Sequence, residues 1–246
     1  MSLRLCRLVS VLLLIALLAG CATGPENDQR QARQLYTSAH NALTRGDYET
    51  AVKDYEKLEG KFPFGPYAEQ AQLDLILAYK RMAEPDSAIA AAERFIRLNP
   101  RSDKVPYAWY MKGVVDQERG TNIVTNFFDL DRAARDPKPL EHAFDAFRTL
   151  IQRYPDSKYT ADARRRMKDI RSALADHQLQ IARFYAKRNE WVATANRAIG
   201  LIQRYPNTDA VGDALKLLEQ SYNALKLGDL RDDVRRVLKA NGIKPG

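Results

Sequence analysis

Residues able to act as nucleophiles or metal ligands are few in this chain of 246 residues: two cysteines, Cys6 and Cys21, and three histidines, His40, His142 and His177. The histidines lie in three separate stretches, with no His-Glu-x-x-His pair to hold a metal. No glycine-rich phosphate loop and no Gly-x-Ser-x-Gly elbow is present. The three histidines are therefore expected on helix surfaces or in hairpin packing, and neither catalysis nor a metal site is expected. Cys21 is the residue with chemistry. Ahead of it come Arg4 and Arg7, an apolar run from Leu8 to Leu18 broken only by Ser10, and the small residues Ala19 and Gly20. That run is short for a membrane span of about 20 residues and suits the apolar part of a signal peptide. Cys6 leaves with such a leader, so the mature chain has no second thiol for a disulfide.

Charge, apolar run, small residues and Cys in this order resemble the lipobox of bacterial lipoproteins. The resemblance implies that residues 1–20 are a signal peptide. It implies that Cys21 carries S-diacylglycerol and an N-acyl chain, and it implies no other cofactor. Ala22 after the Cys, in place of Asp, implies the outer membrane. Two or more acyl chains make such anchoring stable. Residues 21–31 then read as the lipidated Cys and a flexible tether. Ala22 to Arg30 is polar with Gly24 and Pro25, and nine extended residues reach on the order of 30 Å.

Removing Arg4 and Arg7 leaves 37 basic against 31 acidic groups. The cations are scattered among carboxylates, which argues against nucleic acid and fits an anionic membrane surface or acidic protein patches.

The elements that must follow the tether are helical and repeated. Lys61 to Tyr79 ends one helix in Phe62-Pro63-Phe64-Gly65-Pro66, where prolines exclude a regular helix. It then starts another, with Ala68, Ala71, Leu75, Ile76 and Tyr79 at helical spacing. The junction returns at Asn99-Pro100, Tyr154-Pro155 and Tyr205-Pro206, each after an apolar helix. Small residues at Ala39 and Ala51, Tyr55 four positions on, and Pro63 match the tetratricopeptide pattern. The fold class expected is all-α, a tetratricopeptide-like superhelix of about five helical hairpins. Turns are expected at Arg45-Gly46-Asp47, Glu84-Pro85-Asp86 and Leu227-Gly228-Asp229. Hairpins over 32–119 and 140–240 flank a long connection, 120–139, and a frayed tail covers 241–246. From Pro63 to Pro100 is 37 residues, and from Pro100 to Pro155 is 55, so the connection is an excess over the tetratricopeptide period of about 34. Loops this long are often functional.

Three segments resemble one family: Phe62-Pro63-Phe64-Gly65-Pro66-Tyr67 with Gln72-Leu73-Asp74-Leu75; Phe127-Phe128-Asp129-Leu130-Asp131-Arg132 with Arg135-Asp136-Pro137; and Trp191-Val192-Ala193 with Asn196-Arg197. With the lipobox they resemble the BamD family, lipoproteins of the outer-membrane β-barrel assembly (Bam) machinery. The resemblance spans nearly the whole chain from Cys21. It implies binding to the periplasmic POTRA region of BamA and to other Bam lipoproteins. It also implies recognition of C-terminal signals of unfolded outer-membrane proteins, on the periplasmic face of the outer membrane.

On this reading the amino-terminal repeats receive substrate. Phe64, Tyr67, Asp74, Tyr79 and Tyr110 are candidates to line that groove, and Arg94 or Arg97 to pair the substrate carboxylate. The same rings could instead pack the hairpins. The carboxy-terminal repeats dock BamA, with Asn196 and Arg197 as contacts, since an Arg fork suits a carboxylate. The charges of the 120–139 connection could pair with one another. Other readings are a tetratricopeptide lipoprotein that scaffolds cell-wall enzymes and a lipid-anchored hydrolase, the latter without a recognisable motif.

Overall fold

A computed structural model describes residues 25–120 and 136–244. The leader, Cys21 and the charged segment Phe127–Arg135 lie outside the described residues. Every described element is a helix, and the helices pair into five hairpins: α1 (Pro25–Arg45) with α2 (Tyr48–Lys61), α3 (Ala68–Arg81) with α4 (Pro85–Leu98), α5 (Val105–Gly120) with α6 (Lys138–Arg153), α7 (Thr160–Lys187) with α8 (Trp191–Arg204), and α9 (Ala210–Ala224) with α10 (Gly228–Ala240). The all-α, tetratricopeptide-like reading holds. The described residues form two compact units, divided between Ala91 and Ala92, within α4.

The helices end alike. The backbone N–H groups of Phe62, Asn99, Tyr154 and Tyr205 donate to the carbonyls of Leu58, Phe95, Leu150 and Leu201 at 2.7–2.9 Å. Proline follows each of these four residues and disfavours a helical conformation at them. All four acceptor residues are fully buried.

The hairpin turns also share one geometry. A left-handed residue precedes the first helical residue by two positions: Gly46 (φ +81°), Ala83 (+58°), Asn189 (+60°) and Lys226 (+58°). The first turn sits where the sequence placed it, and Asp47 Oδ1 caps α2 by accepting from Thr50 N at 3.2 Å. The second and fifth turns lie two residues earlier than expected, because Pro85 and Gly228 open their helices. Proline has no N–H to lose at a helix start.

Both ends of the fold are more ordered than the sequence suggested. The helix α1 begins at Pro25, so Pro25–Arg30 is helix and not extended tether. At the carboxy end Gly242 is left-handed, and the N–H of Ile243 donates to Leu238 O at 2.9 Å. Ile243 packs on the core of α7–α10, so residues 241–244 cap the last helix where fraying was expected.

Each unit has its own core. Ala39, Ala42, Ala51, Tyr55, Leu58, Ala71, Leu75 and Ala78 fill the first. In the second unit, Phe147 packs with Leu140, Leu150, Ile170 and Leu174, and Leu179, Leu201, Leu215 and Leu238 continue the core. The alanines let helices approach, and the burial of the larger side chains stabilises the stack by about 1.5–3 kcal/mol each.

Candidate functional site

In the first unit the carboxylate of Asp74 gathers hydroxyls. Its Oδ2 accepts from Tyr36 and Tyr55, each at 3.1 Å, and its Oδ1 accepts from Gln70 Nε2 at 2.8 Å. His40 Nδ1 stands 3.6 Å from Oδ2. The side chain of Asp74 is 14% exposed. Burial pushes the Tyr36 phenol up to about 12, and the Asp74 charge and hydrogen bond add to the effect. The fully buried Tyr55 is raised further by the same causes. The Tyr36 ring stacks on His40 at 5.7 Å and on Tyr67 at 5.5 Å. His40, 47% exposed, forms the outer end of this stack. Tyr79 donates to Glu56 Oε1 at 2.5 Å.

At one end of the same unit a pocket of about 220 Å³ is lined by Asp28, Ala32, Leu58, Phe62, Phe64 and Tyr67, among others. Phe64 stands at its edge, 88% exposed, beside Gly65 at φ +117°.

Tyr110 belongs to a cluster in the second unit. Its hydroxyl donates to Asp162 Oδ2 at 2.7 Å, and its ring stacks on Tyr159 at 4.9 Å. Arg166 Nε donates to the same oxygen at 2.6 Å, and Arg165 pairs with Oδ1. Burial opposes ionisation of Asp162, but the Tyr110 hydrogen bond and the two guanidinium groups outweigh it and hold the carboxyl below its usual range. In both clusters a tyrosine on the first helix of a hairpin bonds an aspartate on the first helix of the next. Arg183 of α7 does the same with Asp213 of α9, at 2.6 Å.

Asn196 and Arg197 are exposed on α8. The Arg197 guanidinium has no hydrogen-bond or ion-pair partner among the described residues. Val192, one turn before Asn196, is 60% exposed. Where α7 meets this hairpin's turn, Arg188 lies over the exposed Phe184 ring at 4.3 Å. Arg94 and Arg97 are exposed on α4. No group of three His, Cys, Asp or Glu that could hold a metal occurs among the described residues.

The outer-membrane lipoprotein family YfiO matches residues 28–237. The chain belongs to this family. It is 38% identical to the outer membrane protein assembly factor BamD of Vibrio cholerae over 96% of this chain and 98% of that one. It is 40% identical to the factor of the same name from Neisseria gonorrhoeae, over 91% and 86%. The Haemophilus influenzae factor is 35% identical over 96% and 90%.

In this YfiO-family chain, Phe64, Tyr67, Asp74 and Tyr79 lie in the first unit, and Arg94, Arg97 and Tyr110 in the second. Tyr67 and Asp74 share the Tyr36 network, Tyr79 bonds Glu56, and Phe64 edges the pocket. Tyr110 serves a separate cluster in the other unit. Asp74 is an internal acceptor and not a free carboxylate. The sequence reading missed Tyr36, His40, Tyr55 and Gln70. Tyr36 meets Asp74 across 38 positions, so no local spacing reveals the pair. In the sequence, Tyr55 stands out only as part of the tetratricopeptide pattern, four positions after Ala51, and its hydroxyl carries no signal there.

Proposed function

We propose that this outer-membrane protein assembly factor works by binding alone, held by acyl chains on Cys21 at the periplasmic face. Its second unit docks the POTRA region of BamA, and its first unit receives C-terminal aromatic segments of unfolded outer-membrane proteins. Arg197 carries the docking half. An exposed guanidinium without an internal partner, flanked on the same helix by Asn196 and Val192, offers a planar fork to a carboxylate beside apolar surface. The names of the relatives favour this partner class over cell-wall enzymes. For the substrate half, the stacked rings of His40, Tyr36 and Tyr67 offer ring surface, with the Tyr36 hydroxyl bonded to Asp74 and His40 Nδ1 beside the same carboxylate. Within the same unit Tyr79, which lies on α3, is the candidate for added ring contact.

One titration with two ligands tests both halves. Arg197→Ala should weaken binding to purified POTRA domains by roughly 2–5 kcal/mol if the pair is buried at the interface. Its affinity for a barrel-protein C-terminal peptide should not change. Tyr67→Ala should show the reverse pattern. Unchanged POTRA affinity in Arg197→Ala refutes the dock, and unchanged peptide affinity in Tyr67→Ala refutes the ring face.

A further inference from the structure

We infer that the Phe62–Tyr67 loop is a second membrane contact, with the Phe64 ring seated in the lipid headgroup region. The inference rests on the proposed acylation of Cys21. Phe64 is 88% exposed, the most exposed large apolar side chain among the described residues. Pro63, Gly65 and Pro66 beside it are exposed as well. No hairpin partner covers this tip.

The tether says what does. The helix α1 starts at Pro25, so only residues 22–24 separate it from Cys21. Whatever path they take, four Cα steps span at most about 14 Å. Asp28, in the pocket wall that Phe64 edges, lies one helical turn further, at a rise of about 1.5 Å per residue. The wall is therefore held within roughly 20 Å of the acylated residue. Arg45, at the other end of α1, is on the order of 30 Å from Pro25. Of the two ends of α1, the anchor thus confines the one that bears Phe64. An aromatic ring with polar neighbours, here Asp28, Gln29 and Lys61, suits the boundary between headgroups and acyl chains. A second contact would also fix how the first unit is presented, since a lipid on a single residue leaves rotation free.

The test uses the full lipoprotein in phosphatidylethanolamine–phosphatidylglycerol vesicles. Cys21 is acylated on this reading, so Phe64→Cys supplies the one free thiol for a nitroxide spin label. Arg45→Cys, exposed at the far end of α1, is the reference. The expected result is a label at position 64 that oxygen reaches and a water-soluble nickel chelate does not, with the label at 45 open to the chelate. Equal access of the chelate to both labels on vesicle-bound protein overturns the inference and leaves the anchor standing. Shielding at 64 that appears only when a barrel-protein C-terminal peptide is added also overturns it, and returns Phe64 to the substrate site. A chain that does not float with the vesicles overturns the anchor itself, and the inference with it.

Discussion

Adding one methyl group at Gly113 tests how tightly the second unit is packed. Gly113 of α5 faces Phe147 of α6. A Cβ at Gly113 would lie 2.6, 2.7 and 2.8 Å from Cε1, Cζ and Cδ1 of that ring. Favourable carbon contacts begin near 3.5 Å, so the ring would have to retreat by close to 1 Å. It has little room to do so. Phe147 is fully buried, packed with Leu140, Leu150 and Leu174, and its centroid is 6.0 Å from that of Tyr110. Overpacking of this kind costs about 1–3 kcal/mol. Against it stands a gain of about 1 kcal/mol, because Ala is the better helix former. The expected net loss for Gly113→Ala is up to about 2 kcal/mol, read as a thermal midpoint lower by as much as roughly 8 °C for a chain of this size. Gly200→Ala is the matched control. There the added methyl meets only the Arg204 guanidinium, at 3.3 Å, on an exposed flexible side chain. Propensity then decides, and the midpoint should rise by about 2–4 °C. A Gly113→Ala protein that melts at or above the wild-type midpoint would refute the argument that Phe147 cannot yield.

Asp74→Ala should destabilise the first unit by about 1–3 kcal/mol, because it strands the hydroxyl of the buried Tyr55. A thermal midpoint equal to wild type would mean that water or another group replaces the carboxylate. The raised phenols give an alkaline signature. Below pH 10 both folded and unfolded chains keep the Tyr36 proton. Between the ordinary tyrosine value and about 12 the unfolded chain ionises first, so the stability this group contributes is lost as pH rises through that window. Phenolate absorbance should show Tyr36 titrating late, and Tyr36→Phe should flatten the fall in stability above pH 10. An unaltered slope would contradict the assignment.

Apolar periodicity and the recurring prolines revealed the five hairpins, because a helix face buried against a neighbour must repeat near 3.6 residues. Details carried by backbone geometry were less legible. A glycine marks only the first turn. Ala83 and Lys226 take left-handed conformations that cost each about 1–2 kcal/mol, and neither residue type advertises this. The glycine and proline that do stand nearby, Gly228 and Pro85, drew the expected turns two residues late. The start of α1 was hidden for another reason. Its first turns face solvent from Asn27 to Gln31, so they have no apolar stripe to detect. Pro25 as the opening residue and acidic Glu26 and Asp28 in the first turns were the available signals.

The site residues show a deeper limit. In the sequence, Asp74 stands among the candidates to line a substrate groove, with Phe64, Tyr67, Tyr79 and Tyr110. In the fold it is one of three aspartates that join the first helix of one hairpin to the first helix of the next: Tyr36–Asp74, Tyr110–Asp162 and Arg183–Asp213. The spacings are 38, 52 and 30 residues, and the donor changes from phenol to guanidinium, so no motif search would group them. What they share is position, since each acceptor lies on the first helix of its hairpin, facing the first helix before it. A polar bond there links the two helices across the hairpin boundary. The aromatic faces left exposed beside these bonds inherit their orientation. On the proposed function, recognition would therefore depend on carboxylates that need never touch a ligand.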